Sequence, residues 1–349
     1  AGERAAVARA ITGAQEGDID DATLAQVHEA AARRRVPVLG ITGTGGSGKS
    51  SLTDELIRRL RLDQQDKLRV AVLAIDPTRS RGGGALLGDR IRMSSLDGDR
   101  VFFRSLATRG GSQVPTHLDD VLDIVRAAGF DLVILETPGI GQGDAAVVDY
   151  ADVSLYVMTP EFGASSQLEK IDMLDRADVV AINKFERRGA EDALRDVGRQ
   201  MVRNREAFGK SPADMPVFGT SAATFNDDGV TALYQELRDL LSGKGMPVDE
   251  GVLPRVATKQ STRIATIVPA SRVRYLAEIS DTVRGYHEAT ERYAAAASRV
   301  QRLESVRGEL AAAAAADEVV GVEQRPGPVE RRPELAVVLE RAPDRRGCR

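Results

Sequence analysis

The sequence predicts an α/β protein built on a mostly parallel, doubly wound sheet, with helical extensions at its N- and C-terminal sides. Three observations predict it. Short apolar, β-rich segments alternate with helical patterns through the middle of the chain; a glycine-rich loop joins the first such segment directly to a helix; and the composition changes at both ends. Alternation of this kind belongs to parallel sheets with helices on both faces, whose strands read as continuous apolar runs.

The first strand is expected at 36–42 (VPVLGIT), followed at once by Gly43-Thr44-Gly45-Gly46-Ser47-Gly48-Lys49-Ser50 and a helical pattern from Ser50 to Leu60. This is a complete phosphate-binding loop in its required context, and it makes the sheet one of the P-loop NTPase kind. Glycines let backbone N–H groups wrap a phosphate, and the helix start adds positive potential. Lys49 reaches the outer phosphates and the Ser50 hydroxyl can ligate magnesium, so Gly45, Gly46, Ser47, Gly48, Lys49 and Ser50 are candidate nucleotide-binding residues.

Further strands are expected at 69–76, 101–106, 132–136, 153–158, 179–183 and 217–221, with helices at 118–128, 166–177, 190–208 and 230–241. Residues 1–35 are Ala-rich and charged and read as a helical linker; the core spans 36–245. Residues 246–316 read as a helical arm, with Ile264, Ile267, Leu276, Ile279, Val283, Tyr286 and Tyr293 at roughly helical intervals. Packing on the core and contact with a partner are equal readings of that face. From 317 to 349 proline and arginine dominate, as in a disordered tail or cut linker.

The chain has 349 residues, 42% hydrophobic, enough for one large core. A net charge of −4 argues against a nucleic-acid surface. The single cysteine, Cys348, allows no internal disulfide, and a cytoplasmic home is expected. No apolar run is long enough to cross a bilayer and no signal-peptide pattern opens the chain. A start at Ala1 and a Pro/Arg-rich end fit a piece of a longer protein.

Ligands of such a sheet bind at the carboxyl ends of its strands. The second strand ends at Asp76, and the loop after it carries Asp89 and Arg92. The acids suit a hard cation and the arginine suits phosphate, although each acid alone reads equally as a turn or helix cap. The fourth strand runs into Glu136-Thr137-Pro138-Gly139, where the carboxylate fits magnesium and the glycine amide fits a γ-phosphate sensor. In the mobile-looking stretch that follows, Gln142 or Asp144 could orient water, or be plain loop groups.

Asn183-Lys184-Phe185-Glu186 closes the sixth strand and resembles the guanine-recognition motif of GTPases. There Asn and Lys frame the base while an Asp accepts hydrogen bonds from N1 and the exocyclic amine. Glu186 stands in the Asp place, moving the carboxylate by about one C–C bond. Ser221-Ala222 resembles the last base-contacting loop of the same enzymes.

With GITGTGGSGKSSLTDEL at 40–56, AIDPTRSRGGGALLGDRIRM at 74–93, ETPGIGQGD at 136–144 and NKFE at 183–186, the chain resembles the metal- and cobalamin-associated GTPases. Within them it is most similar to the G-protein chaperones of adenosylcobalamin-dependent acyl-CoA mutases, in the branch where the chaperone is fused to an isobutyryl-CoA mutase. Glu186 and the long stretch before the first strand both resemble that branch. The resemblance implies GTP hydrolysis that gates adenosylcobalamin loading and repair. It implies Ser50, Asp76, Asp89 and Glu136 around Mg2+, Arg92 on the nucleotide, and catalytic duty shared by Lys49, Asp76, Asp89 and Glu136. As partners it implies the mutase substrate-binding and cobalamin-binding domains of the same parent chain, an adenosyltransferase, and a second copy in a homodimer, with no nucleic acid and no membrane. Nothing in the chain resembles a cobalamin-ligating Asp-x-His-x-x-Gly, and His28, His117 and His287 are scattered. A P-loop small-molecule kinase has no use for Asn183-Lys184, and a dimeric ATPase would carry a lysine where Thr44 stands. A small-molecule kinase and a nucleotide-gated scaffold without significant turnover are the alternatives left open.

Overall fold

Seven strands form the sheet: β1 (Val38–Gly43), β2 (Val70–Pro77), β3 (Val101–Thr108), β4 (Leu132–Glu136), β5 (Val153–Met158), β6 (Val179–Asn183) and β7 (Val217–Thr220). They hydrogen-bond in the order β3-β2-β4-β1-β5-β6-β7, and every pairing is parallel. The computed structural model describes residues 2–77, 93–108, 114–139, 148–163, 171, 173–262 and 275–318. The chain divides into two compact units, Ala1–Ile264 and Ala265–Arg349.

In the first unit, β1, β4, β5, β6 and β7 are buried along their whole length. Two helical layers do this. On one face α3 (Lys49–Asp63) and α7 (Asp228–Gly243) bring Leu52, Leu56, Leu233 and Leu237 onto Leu39, Ile41, Val72 and Leu155. On the other, α4 (Leu118–Ala127) covers Val38, Leu73, Ile75 and Val133 with Leu118, Val121 and Val125. Helices α5 (Met173–Arg176) and α6 (Ala190–Asn204) close over Tyr156, Met158, Val180 and Ile182.

The N-terminal stretch is two helices, α1 (Gly2–Glu16) and α2 (Asp21–Ala32), the second capped by Asp20, whose Oδ1 accepts from Thr23 N–H at 2.9 Å. It is more than a linker. Val7, Ile11 and Ala14 of α1 are buried in the same cluster as α4, and fully burying a side chain such as Ile11 contributes roughly 1.5–3 kcal/mol.

Helix ends depart from expectation by a few residues, most at α6. α6 stops at Asn204, where Arg205 caps it and Glu206 takes a left-handed φ of 50°. Of the helix expected at 166–177, α5 is the described part; 164–170 and 172 lie outside the described residues. Residues 246–262, expected to open the helical arm, are not helical and pack on the first unit instead. In the second unit the described residues form one helix, α8 (Tyr275–Glu318), with Ile279, Val283, Tyr286 and Tyr293 exposed. No helix among the described residues is long and apolar enough to cross a membrane.

Candidate nucleotide site

The loop Gly43–Gly48 leaves the end of central strand β1 and turns into α3 at Lys49. Gly48 makes that turn with a left-handed φ of 86°, and a Cβ there would lie 2.6 Å from Asn183 Nδ2. Only glycine satisfies both conditions. The start of α3 therefore presents its N–H groups to the crevice beside β4, as phosphate binding requires.

Lys49 is buried. Its ammonium donates to the carbonyls of Gly43 at 3.1 Å and Thr44 at 3.2 Å, folded back along its own loop. Gly139 lies directly over it: φ is 74°, and a Cβ would come within 1.9 Å of Lys49 Nζ and 2.8 Å of Gly43 O. Two loops far apart in sequence thus meet at one cation.

Beside them the Ser50 hydroxyl donates to Glu136 Oε1 at 2.8 Å. Ser50, Glu136 and Asp76, the acid near the end of β2, line one cleft of about 350 Å³ together with Lys49, Thr137 and Pro138. The cleft's neighbouring β2, β4 and β1 set this spacing, since Ala74 pairs with Glu136 and Ile41 pairs with Glu136 in register. A hydroxyl and two carboxylates are the hard oxygen donors magnesium takes alongside phosphate oxygens and water, so the residues fit that ion. Among the described residues no three His, Cys, Asp or Glu side chains are grouped to hold an ion by themselves. Asp89, Arg92, Gln142 and Asp144 lie outside the described residues.

The residues expected to read the base converge on the same loop. Asn183 Nδ2 donates to Ser47 O at 2.8 Å, and Lys184 Nζ donates to Gly46 O at 2.7 Å, with Lys184 itself in a left-handed φ of 60°. Asn183 Oδ1 in turn accepts from Thr220 Oγ1 at 3.2 Å and Ala222 N–H at 3.1 Å. Ser221 Oγ donates to Glu186 Oε2 at 2.8 Å. Phe185 is buried beneath, against Gly219, where a Cβ would lie 2.5 Å from its ring.

Asp227 is the residue sequence reasoning missed. Its Oδ1 caps α7 by accepting Val230 N–H at 2.8 Å and also accepts Ser221 N–H at 3.2 Å, fixing the base loop to the helix. Burial pushes its pKa above the ordinary carboxylate value, more than the hydrogen bonds from Ser261, Val230 and Ser221 pull it down. The available signal was Asn226-Asp227-Asp228-Gly229 ahead of an apolar periodic run, a helix start. His28 contacts Asp123 at 2.8 Å and Asp120 at 3.3 Å, and His117 contacts Asp120 at 3.2 Å, none of them residues that line the cleft.

A glycine-rich loop between β1 and α3, an acid ending each of two neighbouring strands, and an Asn-Lys pair pinned to that loop define a P-loop protein of the GTPase class. The family model for the methylmalonyl-CoA mutase-associated GTPase MeaB matches residues 7–321. The chain belongs to that family. It is 68% identical over 344 residues to the fused isobutyryl-CoA mutase of Nocardia farcinica, covering 99% of this chain and 32% of the relative. To the protein of the same name from Cupriavidus metallidurans it is 59% identical, covering 82% of this chain and 26% of the relative. A putative GTPase of Pyrococcus horikoshii is 34% identical, covering 70% of this chain and 77% of its own length. The chain thus spans about a third or less of the fused relatives named here.

Proposed function

We propose that this chain hydrolyses GTP to GDP and phosphate with magnesium, and that turnover gates adenosylcobalamin loading and repair of an acyl-CoA mutase in the same parent protein. The observation that carries the reading is the double tie between the phosphate loop and the base reader, Asn183 to Ser47 and Lys184 to Gly46. A kinase or ATPase site has no need of that second pair.

Phosphoryl transfer asks a protein for position and charge neutralisation. The α3 N-terminus and the backbone of Gly45 to Gly48 cradle the phosphates, and Lys49 turns from its two carbonyls to the β- and γ-oxygens. Ser50, Asp76 and Glu136 would hold magnesium, with Asp89 completing the set; bound there it would neutralise charge on those same oxygens. Water attacks the γ-phosphorus, the bond to the β,γ-bridging oxygen breaks, and GDP leaves carrying the electron pair. Gly139, over the Lys49 ammonium, senses whether a γ-phosphate is present, so its loop is the element a partner would read. Asn183, Lys184, Glu186, Ser221 and Ala222 hold guanine, and Arg92 contacts the nucleotide.

The fused relatives' name supports a mutase as partner, with its substrate-binding and cobalamin-binding domains in the parent chain and adenosylcobalamin held there rather than by these residues. An adenosyltransferase and a second copy of the chain are the remaining partners we propose. The test is affinity of the purified mutase domains for this chain loaded with non-hydrolysable GTP or with GDP. Different affinities support gating, and equal affinities reject it.

A further inference from the structure

After α7 the chain returns along the first unit to the base loop. Leu253 N–H donates to Asp63 Oδ1 at 2.8 Å, and Gln235 holds Pro254 O at 2.8 Å and Val256 N–H at 3.1 Å. The next residues join the β7 edge: Gly219 N–H donates to Lys259 O at 2.9 Å, Ser261 N–H donates to Gly219 O at 2.8 Å, and Gly219 pairs in parallel with Gln260. Here the Ser261 hydroxyl donates to Asp227 Oδ2. Ser261, Asp227 and Ser221 are all buried.

A continuous polar path follows. Ser261 holds one carboxylate oxygen of Asp227, the other oxygen holds Ser221 N–H, and the Ser221 hydroxyl holds Glu186. Glu186 has one more rotatable bond than an aspartate, so it has more orientations to lose before its carboxylate meets a base. The Ser221 hydroxyl occupies one of its oxygens and leaves the other to point elsewhere. Ser221 is tied to Asp227 through its N–H. Asp227 carries two jobs on one oxygen, and Ser261 anchors the second oxygen so that the carboxylate cannot rotate away.

We infer that Ser261 and Asp227 are positioning residues for guanine: from a segment past the nucleotide motifs, they fix Ser221 and through it the Glu186 carboxylate that reads N1–H and the exocyclic amine. The inference rests on the base site proposed above. Guanine discrimination therefore depends on residues 259–261, beyond the end of the core expected from sequence.

The test compares GDP, IDP and ADP binding by calorimetry, with magnesium, in the whole chain and in Ser261→Ala, Ser261→Cys and Ser261→Thr. IDP lacks the exocyclic amine, and ADP uses the phosphate loop without Glu186. Ser261→Ala is expected to lower the GDP-over-IDP preference by about tenfold, with ADP affinity changed less than about twofold, and Ser261→Thr to restore the preference. Ser261→Cys, which keeps the volume but donates weakly, serves where the alanine variant does not fold, and the same loss is expected. An unchanged preference in a folded Ala or Cys variant overturns the inference. So does an equal fall for all three nucleotides, which is what a purely structural role would give. A wild-type chain without any GDP-over-IDP preference would reject the base site itself, and this inference with it.

Discussion

Asn183 donates its side-chain amide to the Ser47 carbonyl across 2.8 Å, so the strand proposed to read the base and the loop proposed to hold the phosphates are one hydrogen-bonded piece. The same side chain accepts from Thr220 and Ala222, which brings the last base loop into that piece. Asn183→Ala takes this partner from the buried Ser47 carbonyl, the buried Thr220 hydroxyl and the half-buried Ala222 N–H, at about 1–3 kcal/mol. The nucleotide-free chain should lose stability by that amount in urea titration, and GDP affinity should fall together with it. An unchanged denaturation midpoint would contradict the coupling.

Lys49→Ala should abolish hydrolysis while preserving the fold. Its ammonium donates to the Gly43 and Thr44 carbonyls at the wall of the cleft, so the substitution removes polar contacts there and none of the apolar core. Losing a preorganised cation on the transferring phosphate costs about a hundredfold or more in turnover. Phosphate release and circular dichroism on one sample decide it, and wild-type turnover would reject the assignment.

Gly139→Ala should uncouple the β4 loop from the cation. The substituent would collide with Lys49 Nζ, and a left-handed φ costs a non-glycine residue about 1–2 kcal/mol. Turnover is expected to drop by at least about tenfold, with GDP affinity changed little, because Gly139 is proposed to meet the γ-phosphate, which GDP lacks. Equal losses in both would place Gly139 in ground-state binding instead.

Acid sensitivity should centre on Asp63. Burial pushes its pKa up, but hydrogen bonds from Tyr234 at 2.6 Å, Leu253 N–H at 2.8 Å, Arg238 at 3.0 Å and Gln64 at 3.2 Å outweigh burial and hold it below the ordinary value. The stability it contributes is fully present above the unfolded carboxylate pKa, about 3.9, and is lost as pH falls through its lower folded value. Asp227, held above the ordinary value, works in the opposite direction. Asp63→Asn should cost about 2–4 kcal/mol at neutral pH and flatten the acid limb of the stability curve. A limb as steep as wild type would move the effect elsewhere.

The central strands were legible because burial on both faces makes them nearly continuous apolar runs, and β4, β5 and β6 have the ends their sequences imply. The phosphate loop was legible because glycines mark backbone that no other residue can follow. What escaped depends on distant neighbours. Lys49 is buried because Gly139, ninety positions on, covers it, and no local pattern says so. Asp227 looks like an ordinary helix cap, and its grip on Ser221 needs the β7 loop and Ser261 to be folded beside it. In α1 the buried Val7, Ile11 and Ala14 have helical spacing, but alanine-rich surroundings hide which face is covered.

The central claim is a guanine-specific triphosphatase, and the direct measurement is phosphate release from GTP and from ATP, side by side, with magnesium and with chelator. The account predicts magnesium-dependent release from GTP, far slower release from ATP, and none from either in Lys49→Ala. Equal rates with both nucleotides, or GTP turnover that survives Lys49→Ala, would contradict it.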